Sequence, residues 1–276
     1  MANKATISAM IKRRFILLCL LFVAAILSGC NARSTAIPTL MDIDASSTQA
    51  VLTQNAPPAG FDTVDFTDID ANLTRLTGWR YDASLVFRGT YASTTREANA
   101  STRASVWYNQ VASARRVVAH VSGDLQENEQ DTRYEAVRLG PDAFLVRDGT
   151  CLTNAGEDAA VAADLTAGEL LGGIRTARVA PQKATINGES VWRYQFSQED
   201  LILPAISLTE DGSINSVSGE LWVAPEYHAV VRFYANINVE NAFILGSTLP
   251  LTGTISLQYD LYDVGEVPNI SVPFGC

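Results

Sequence analysis

The chain reads as an α+β protein, mostly β, built on one large curved antiparallel sheet that forms an incomplete β-barrel covered by one or two helices. Three observations predict this. The C-terminal third alternates apolar and polar residues with a period of two: Val231, Phe233, Ala235, Ile237 and Val239 against Arg232, Tyr234, Asn236 and Asn238. Such alternation means one wet and one apolar face, so the sheet is not a parallel one buried on both sides. Short period-two segments also follow one another closely from Tyr81 onward, separated by Gly- or Pro-bearing links, as in an antiparallel meander. Only two stretches carry helical spacing.

Taken in chain order, the first element is not part of the fold. Lys12, Arg13 and Arg14 precede an apolar run from Phe15 to Leu27, thirteen residues against the ~20 that a spanning helix needs. A basic head, an apolar middle and small residues before a cut make a secretory signal. The run closes on Leu27-Ser28-Gly29-Cys30, which resembles the bacterial lipobox at all four positions. The resemblance implies lipidation of Cys30, removal of residues 1–29 and anchoring to a membrane of the cell envelope. Asn31 leaves the choice of membrane open. Removal of four cations and no acid takes the formal charge from −10 to −14 and leaves 247 of the 276 residues. So acidic a chain disfavours nucleic acid and anionic headgroups.

Residues 30–60, rich in Ala, Ser, Thr and Pro, read as a flexible tether, and 61–276 as the folded domain. Phe66, Ile69, Leu73 and Leu76 share one helical face, with Asp65 or Thr67 as cap and Gly78 as stop. Strands follow from Tyr81 through Tyr91 and at 104–110, 115–122, 133–139 and 142–147. Residues 158–179 read as one helix, with Leu165, Leu170, Leu171, Ile174 and Val179 at near-helical spacing and Gly172-Gly173 against it. Strands resume at 184–186 and 190–196. Leu201–Leu208, with Pro204, reads as loop or a short helical turn. In the last block Leu221 and Val223 oppose Glu220 and Trp222, Pro225-Glu226-Tyr227 makes a turn, and Ile255, Leu257, Tyr259 and Leu261 alternate with polar residues.

Of the four cysteines, Cys19 leaves with the signal and Cys30 takes the lipid. Cys151 and Cys276 remain in a compartment that permits disulfides and most simply pair; two separate thiols are the alternative. No cofactor or metal is expected. His120 and His228 are the two histidines, neither at ligand spacing from a cysteine. No Gly-x-Ser-x-Gly elbow occurs, the nearest string being Ser216-Val217-Ser218-Gly219. Glu127/Glu129 and Asp263/Glu266 meet no calcium-loop spacing and read as solvated loops. Trp107, Trp192 and Trp222 fall in strands, where aromatic residues pack. No catalytic set is found, and the chain is read as a non-enzyme.

The order of elements, together with Gly219-Glu220-Leu221-Trp222-Val223-Ala224-Pro225 running into Val230-Val231-Arg232-Phe233, resembles the lipoprotein carriers of the LolA and mycobacterial LppX/LprG type across residues 60–270. That resemblance implies a half-barrel with room for acyl chains between sheet and helices. LolA itself is unlipidated and soluble, so the lipid-anchored members are the nearer pattern. The expected lining is Leu221, Val231, Phe233, Ile237, Ile255 and Leu257, with Leu170 and Ile174 from the covering helix; a dry, closed core of the same residues is the other reading. Two functions stay open: non-catalytic binding or transport of a lipid or other hydrophobic ligand at the envelope, and an envelope sensor or protein-interaction module without ligand. The membrane, through the lipid anchor, is the one expected contact; no partner protein is named by the sequence.

Overall fold

A computed structural model describes residues 56–125 and 131–276. The signal, Cys30, most of the tether and the Glu127/Glu129 pair lie outside them. Residues 55–276 form one compact unit. Its elements are β1 (Thr63–Phe66), β2 (Gly78–Tyr91), β3 (Glu97–Asn109), β4 (Ala114–Gly123), β5 (Thr132–Leu139), β6 (Asp142–Arg147), β7 (Thr150–Cys151), α1 (Gly156–Asp164), α2 (Ala167–Leu171), β8 (Gly173–Ile186), β9 (Glu189–Gln195), β10 (Leu201–Ile202), β11 (Ile206–Ala224), β12 (Ala229–Ile244) and β13 (Leu251–Tyr262).

All the strands join one sheet, ordered β1-β8-β9-β11-β12-β13-β2-β3-β4-β5-β6-β7, with β10 on β8, and every pairing is antiparallel. The mostly-β, antiparallel expectation therefore holds, and the sheet does not close, because β1 and β7 at its ends do not pair. Irregularities in register at Val179/Lys183, Leu208/Ser213 and Val239/Ala242 add local twist where long strands must bend. Alternation sets the two faces. On β2 the odd residues Trp79, Tyr81, Leu85 and Phe87 are buried and Arg80, Asp82 and Arg88 look outward.

Four local expectations are corrected. The helix expected over Phe66–Leu76 is β1 followed by a 3-10 turn at Leu73–Arg75. Asn72, with φ at 72°, breaks any helix there, while Phe66, Ile69 and Leu73 still reach the core. Gly78 starts β2 instead of stopping a helix, and the backbone oxygen of Glu266 sits where its Cβ would be. The single helix over 158–179 is two short ones, ended by Gly172 at φ 80°, after which Ile174 and Val179 belong to β8. The segment 201–208 is a turn only at 203–205, around Pro204: Leu201–Ile202 is β10, and Ile206 opens β11.

Cys151 and Cys276 are joined by a disulfide, with Cα atoms 5.3 Å apart. The chain after β13 runs along the strand ends: Gly265 N–H bonds Gly78 O, and Asn109 donates to Pro268 O. It thereby ties β13 to β7, six strands away in the sheet, a span of about 29 Å at the usual strand spacing.

Candidate functional site: the inner face and its helical cover

The lining expected from β11, β12 and β13 shares one face. Leu221 opposes Phe233, and Ile237 opposes Ile255, with Val231 and Leu257 on the same side by alternation. All six are buried, none more than 3 % exposed. Leu170 sits in α2 and is half-buried, so it belongs to the cover as expected. Ile174 does not. It lies in β8 between Phe66 and Leu201, because Gly172 ends the helix before it. An apolar crevice of about 10 Å³ opens on the inner face at Ala100, Thr102, Val121, Gly123, Leu125 and Leu245.

The cover is the α1–α2 hairpin. α1 packs on β4, β5 and β6, and α2 on β2 and β13. α1 turns Ala159 and Ala163 inward, and α2 turns Ala167 and Leu171. Small residues allow close approach but bury little apolar area, so polar groups supply much of the hold. Thr166 and Glu169 form a capping box at the start of α2. Asp70, from the turn after β1, accepts the N–H of Ala167 at 2.9 Å and of Gly168 at 3.2 Å. From the sheet side, Arg115 donates to the carbonyl oxygen of Leu165 at 2.6 Å and to the Tyr81 hydroxyl at 3.4 Å. Its guanidinium lies 5.5 Å from the Trp79 ring centre. The hairpin is thus clamped from two sides, by an acid and by a base.

This polar cluster was missed in the sequence. Arg115 is 8 % exposed and occupies an inward position of β4, in phase with Val117. An arginine in the apolar register of a strand was the available signal. Burial pushes the Asp70 carboxyl up, while the Ala167 and Gly168 amides and the Arg115 charge pull it back. Burial also raises the phenols of Tyr81 and Tyr259, so both stay neutral. Their rings lie 5.2 Å apart, and the Tyr259 hydroxyl has no hydrogen-bond partner among the described residues.

The histidines are placed elsewhere. His120 pairs with Asp131 at 2.8 Å on the outer face, and His228 packs edge-on against Phe61 and Phe66 at the β11–β12 turn. Trp107, Trp192 and Trp222 all lie in strands. Among the described residues no group of three or more His, Cys, Asp or Glu is arranged to hold a metal, and no helix is long and apolar enough to cross a membrane.

Comparison with solved structures finds matches of low similarity. LprF from Mycobacterium bovis matches with 10 % identity and a TM-score of 0.33, covering 75 % of this chain and 93 % of that one. A LolA superfamily protein from Nitrosomonas europaea matches with 12 % identity and a TM-score of 0.20, covering 74 % and 93 %. An uncharacterized conserved protein from Thermus thermophilus matches with 10 % identity and a TM-score of 0.23, covering 82 % and 90 %. No protein-family pattern and no curated protein matches the sequence. The first two are of the type that the sequence resembles.

Proposed function

We propose that the chain is an exported lipoprotein, held to an envelope membrane through Cys30, that binds a lipid or other hydrophobic ligand on its inner face without catalysis. The supporting observation is the cover. The apolar inner face of the sheet lies under a hairpin that is light in apolar area and held by polar ties, Asp70 and Arg115 on its buried side and the Arg138–Asp164 ion pair at the surface. The described state is the closed one, and a ligand enters as the hairpin lifts. Energetics permit this. Ten methylenes moved from water to the inner face contribute about 8 kcal/mol, against roughly 2 kcal/mol for each clamp broken. The mature chain with Cys30→Ser, purified without detergent, tests the proposal. Solvent extraction with mass spectrometry should find a bound lipid, or the protein should take up a fluorescent fatty acid. Failure of both refutes the reading.

One observation favours the second function. The six strand residues are buried as in a filled core. If the face stays dry and closed, the fold serves as an envelope sensor or interaction module, and a stoichiometric protein partner should copurify from solubilised membranes with an empty domain.

A further inference from the structure

Under the α1–α2 hairpin the inner face holds hydrogen-bond donors for which the closed state has no acceptor. The Tyr259 side chain is fully buried, and its hydroxyl has no partner among the described residues. Arg115, 8 % exposed, spends one terminal nitrogen on Leu165 O and the Tyr81 hydroxyl, and its Nε–H is likewise unpartnered there. The two groups belong to one cluster. The Tyr259 ring lies 5.2 Å from that of Tyr81, whose hydroxyl is 3.4 Å from the Arg115 guanidinium. The charges of Asp70 and Arg115 both reach the Tyr259 phenol.

Donors are in excess at this place. Burial keeps both phenols protonated, so each brings an O–H. The acceptors nearby are already taken: Leu165 O by Arg115, and the two Asp70 oxygens by the amides of Ala167 and Gly168. The side chains that the hairpin turns inward on either side of Leu165 are Ala163 and Ala167, which cannot accept. A buried donor without an acceptor weakens a fold, so native interiors keep few of them.

Away from the cluster the same strands are apolar. Leu257, Ile255 and Leu251 precede Tyr259 along the inner side of β13, and Ala83, Leu85 and Phe87 follow Tyr81 on β2, all buried. From Tyr259 to Leu251 the track is about 26 Å long at the usual rise per residue, room for a long acyl chain. One end of this track donates hydrogen bonds, and the rest offers apolar surface.

We propose that Tyr259 and Arg115 form the polar subsite of the inner-face ligand, and that the group they take is the carbonyl oxygen of a fatty acyl ester. The inference rests on the ligand-binding reading above and adds the ligand's chemistry to it. An ester carries acceptors and no donor, which matches a site whose donors are free and whose acceptors are taken. A fatty alcohol or amide brings a further donor to a place with nothing to receive it. An ionised fatty acid sets a second negative charge beside the Asp70 carboxyl, in a buried setting where one guanidinium must serve both. The ester carbonyl meets the Tyr259 hydroxyl as the hairpin lifts, and the acyl chain then lies along β13 and β2.

Infrared spectroscopy of the delipidated mature chain with Cys30→Ser tests the proposal, using methyl dodecanoate labelled with carbon-13 at the carbonyl. Dodecane, dodecanol and dodecanoate serve as comparisons, with affinities read by displacement of a neutral fluorescent probe. The ester carbonyl band should move to lower wavenumber on binding. Tyr259→Phe should abolish that shift and weaken the ester about tenfold, while the affinity for dodecane stays the same. Without ligand, Tyr259→Phe should melt at the same temperature as the parent or higher, because the lost hydroxyl had no partner. Tyr262→Phe, on the outer face, should leave the band shift and both affinities unchanged. An unshifted carbonyl band, an equal effect of Tyr259→Phe on ester and alkane, or dodecanol or dodecanoate held as tightly as the ester would overturn the proposal. So would a lower melting temperature for ligand-free Tyr259→Phe, which would mean that a bound water already satisfies the hydroxyl. If dodecane binds in any of these cases, the ligand-binding reading stands and this inference alone falls; if no probe binds, both fall.

Discussion

Replacing Arg115 by methionine should loosen the α1–α2 hairpin without unfolding the sheet. Methionine matches the unbranched stem of the arginine side chain, so the apolar part that packs near Trp79 is kept while the guanidinium is lost. Three terms then change. The bond to Leu165 O, 2.6 Å long and charge-assisted, is worth about 1.5–3 kcal/mol. The cation–π contact to Trp79 adds roughly 0.5–2 kcal/mol. Against these stands the relief of a desolvated charge, which makes apolar replacement of buried ions less harmful than their pairing suggests. Tyr81 also points its hydroxyl at Leu165 O from 3.5 Å and can take over part of the lost bond. The net expectation is about 2 kcal/mol off the free energy of hairpin opening, or an approximately 30-fold faster opening equilibrium.

Amide hydrogen exchange, read segment by segment, measures this directly. Peptides covering residues 156–171 should exchange about 30-fold faster in Arg115→Met, while the β2, β12 and β13 amides keep their protection. Uptake of a fluorescent fatty acid should quicken in parallel. If protection falls evenly over the whole sheet, Arg115 is a core residue and no clamp. Unchanged exchange in 156–171 refutes the reasoning from the other side, because the hairpin would then be held by its apolar contacts alone.

Three further perturbations probe the same contacts. Cys151→Ser with Cys276→Ser opens a loop closed across 125 residues and should cost about 2–4 kcal/mol in urea unfolding, whereas equal midpoints would show the C-terminal segment to be held without the bond. Asp70 has its carboxyl raised by burial, so its contribution to stability is full below the unfolded pKa, near 4, and declines as pH rises through the folded value. Relative to Asp70→Asn, the native chain should therefore lose stability as pH increases from about 4, and parallel stability–pH curves would refute that. Gly172→Ala meets both a positive φ and the Ile202 backbone oxygen, so it should lower thermal stability far more than Gly140→Ala, whose turn has open space around the new methyl; equal losses would contradict this account of the α2–β8 junction.

The strands were legible because alternation is a local signal. Val231 to Val239 and Ile255 to Leu261 state their faces without help from the rest of the chain. What escaped was set by distant groups. The run Phe66-Ile69-Leu73-Leu76 has helical spacing, yet the segment is needed in two places at once: β1 pairs with β8, and Asp70 caps α2 a hundred residues later. A left-handed Asn72 reconciles the two demands, and no spacing rule announces it. Gly172-Gly173 weakens a long helix on sequence grounds, but the reason lies in space. Backbone oxygens of Ile202, Phe66 and Thr67 crowd both glycines, so β8 can enter the sheet between β1 and β10 only where there is no side chain. Ile174 was thereby moved from cover to sheet.

The charge placement separates cover from sheet in a way that bears on function. A structural lid could be secured by leucines, and α2 has one buried leucine, Leu171, while α1 has none. Beside the part-buried Leu165 and Leu170 and the exposed Arg138–Asp164 pair, the buried hold includes Asp70 and Arg115, two groups whose bonds either exist or do not. Apolar packing weakens gradually as a lid lifts, whereas a hydrogen bond to Leu165 O is lost within an ångström or so. A cover held in that way has a closed state and an open state with little between them. If Arg115 and Asp70 serve only the fold, exchange of the hairpin amides and that of the sheet will share one free energy. If the hairpin is a true cover, its opening free energy will fall well below that of the sheet, and Arg115→Met will widen the gap.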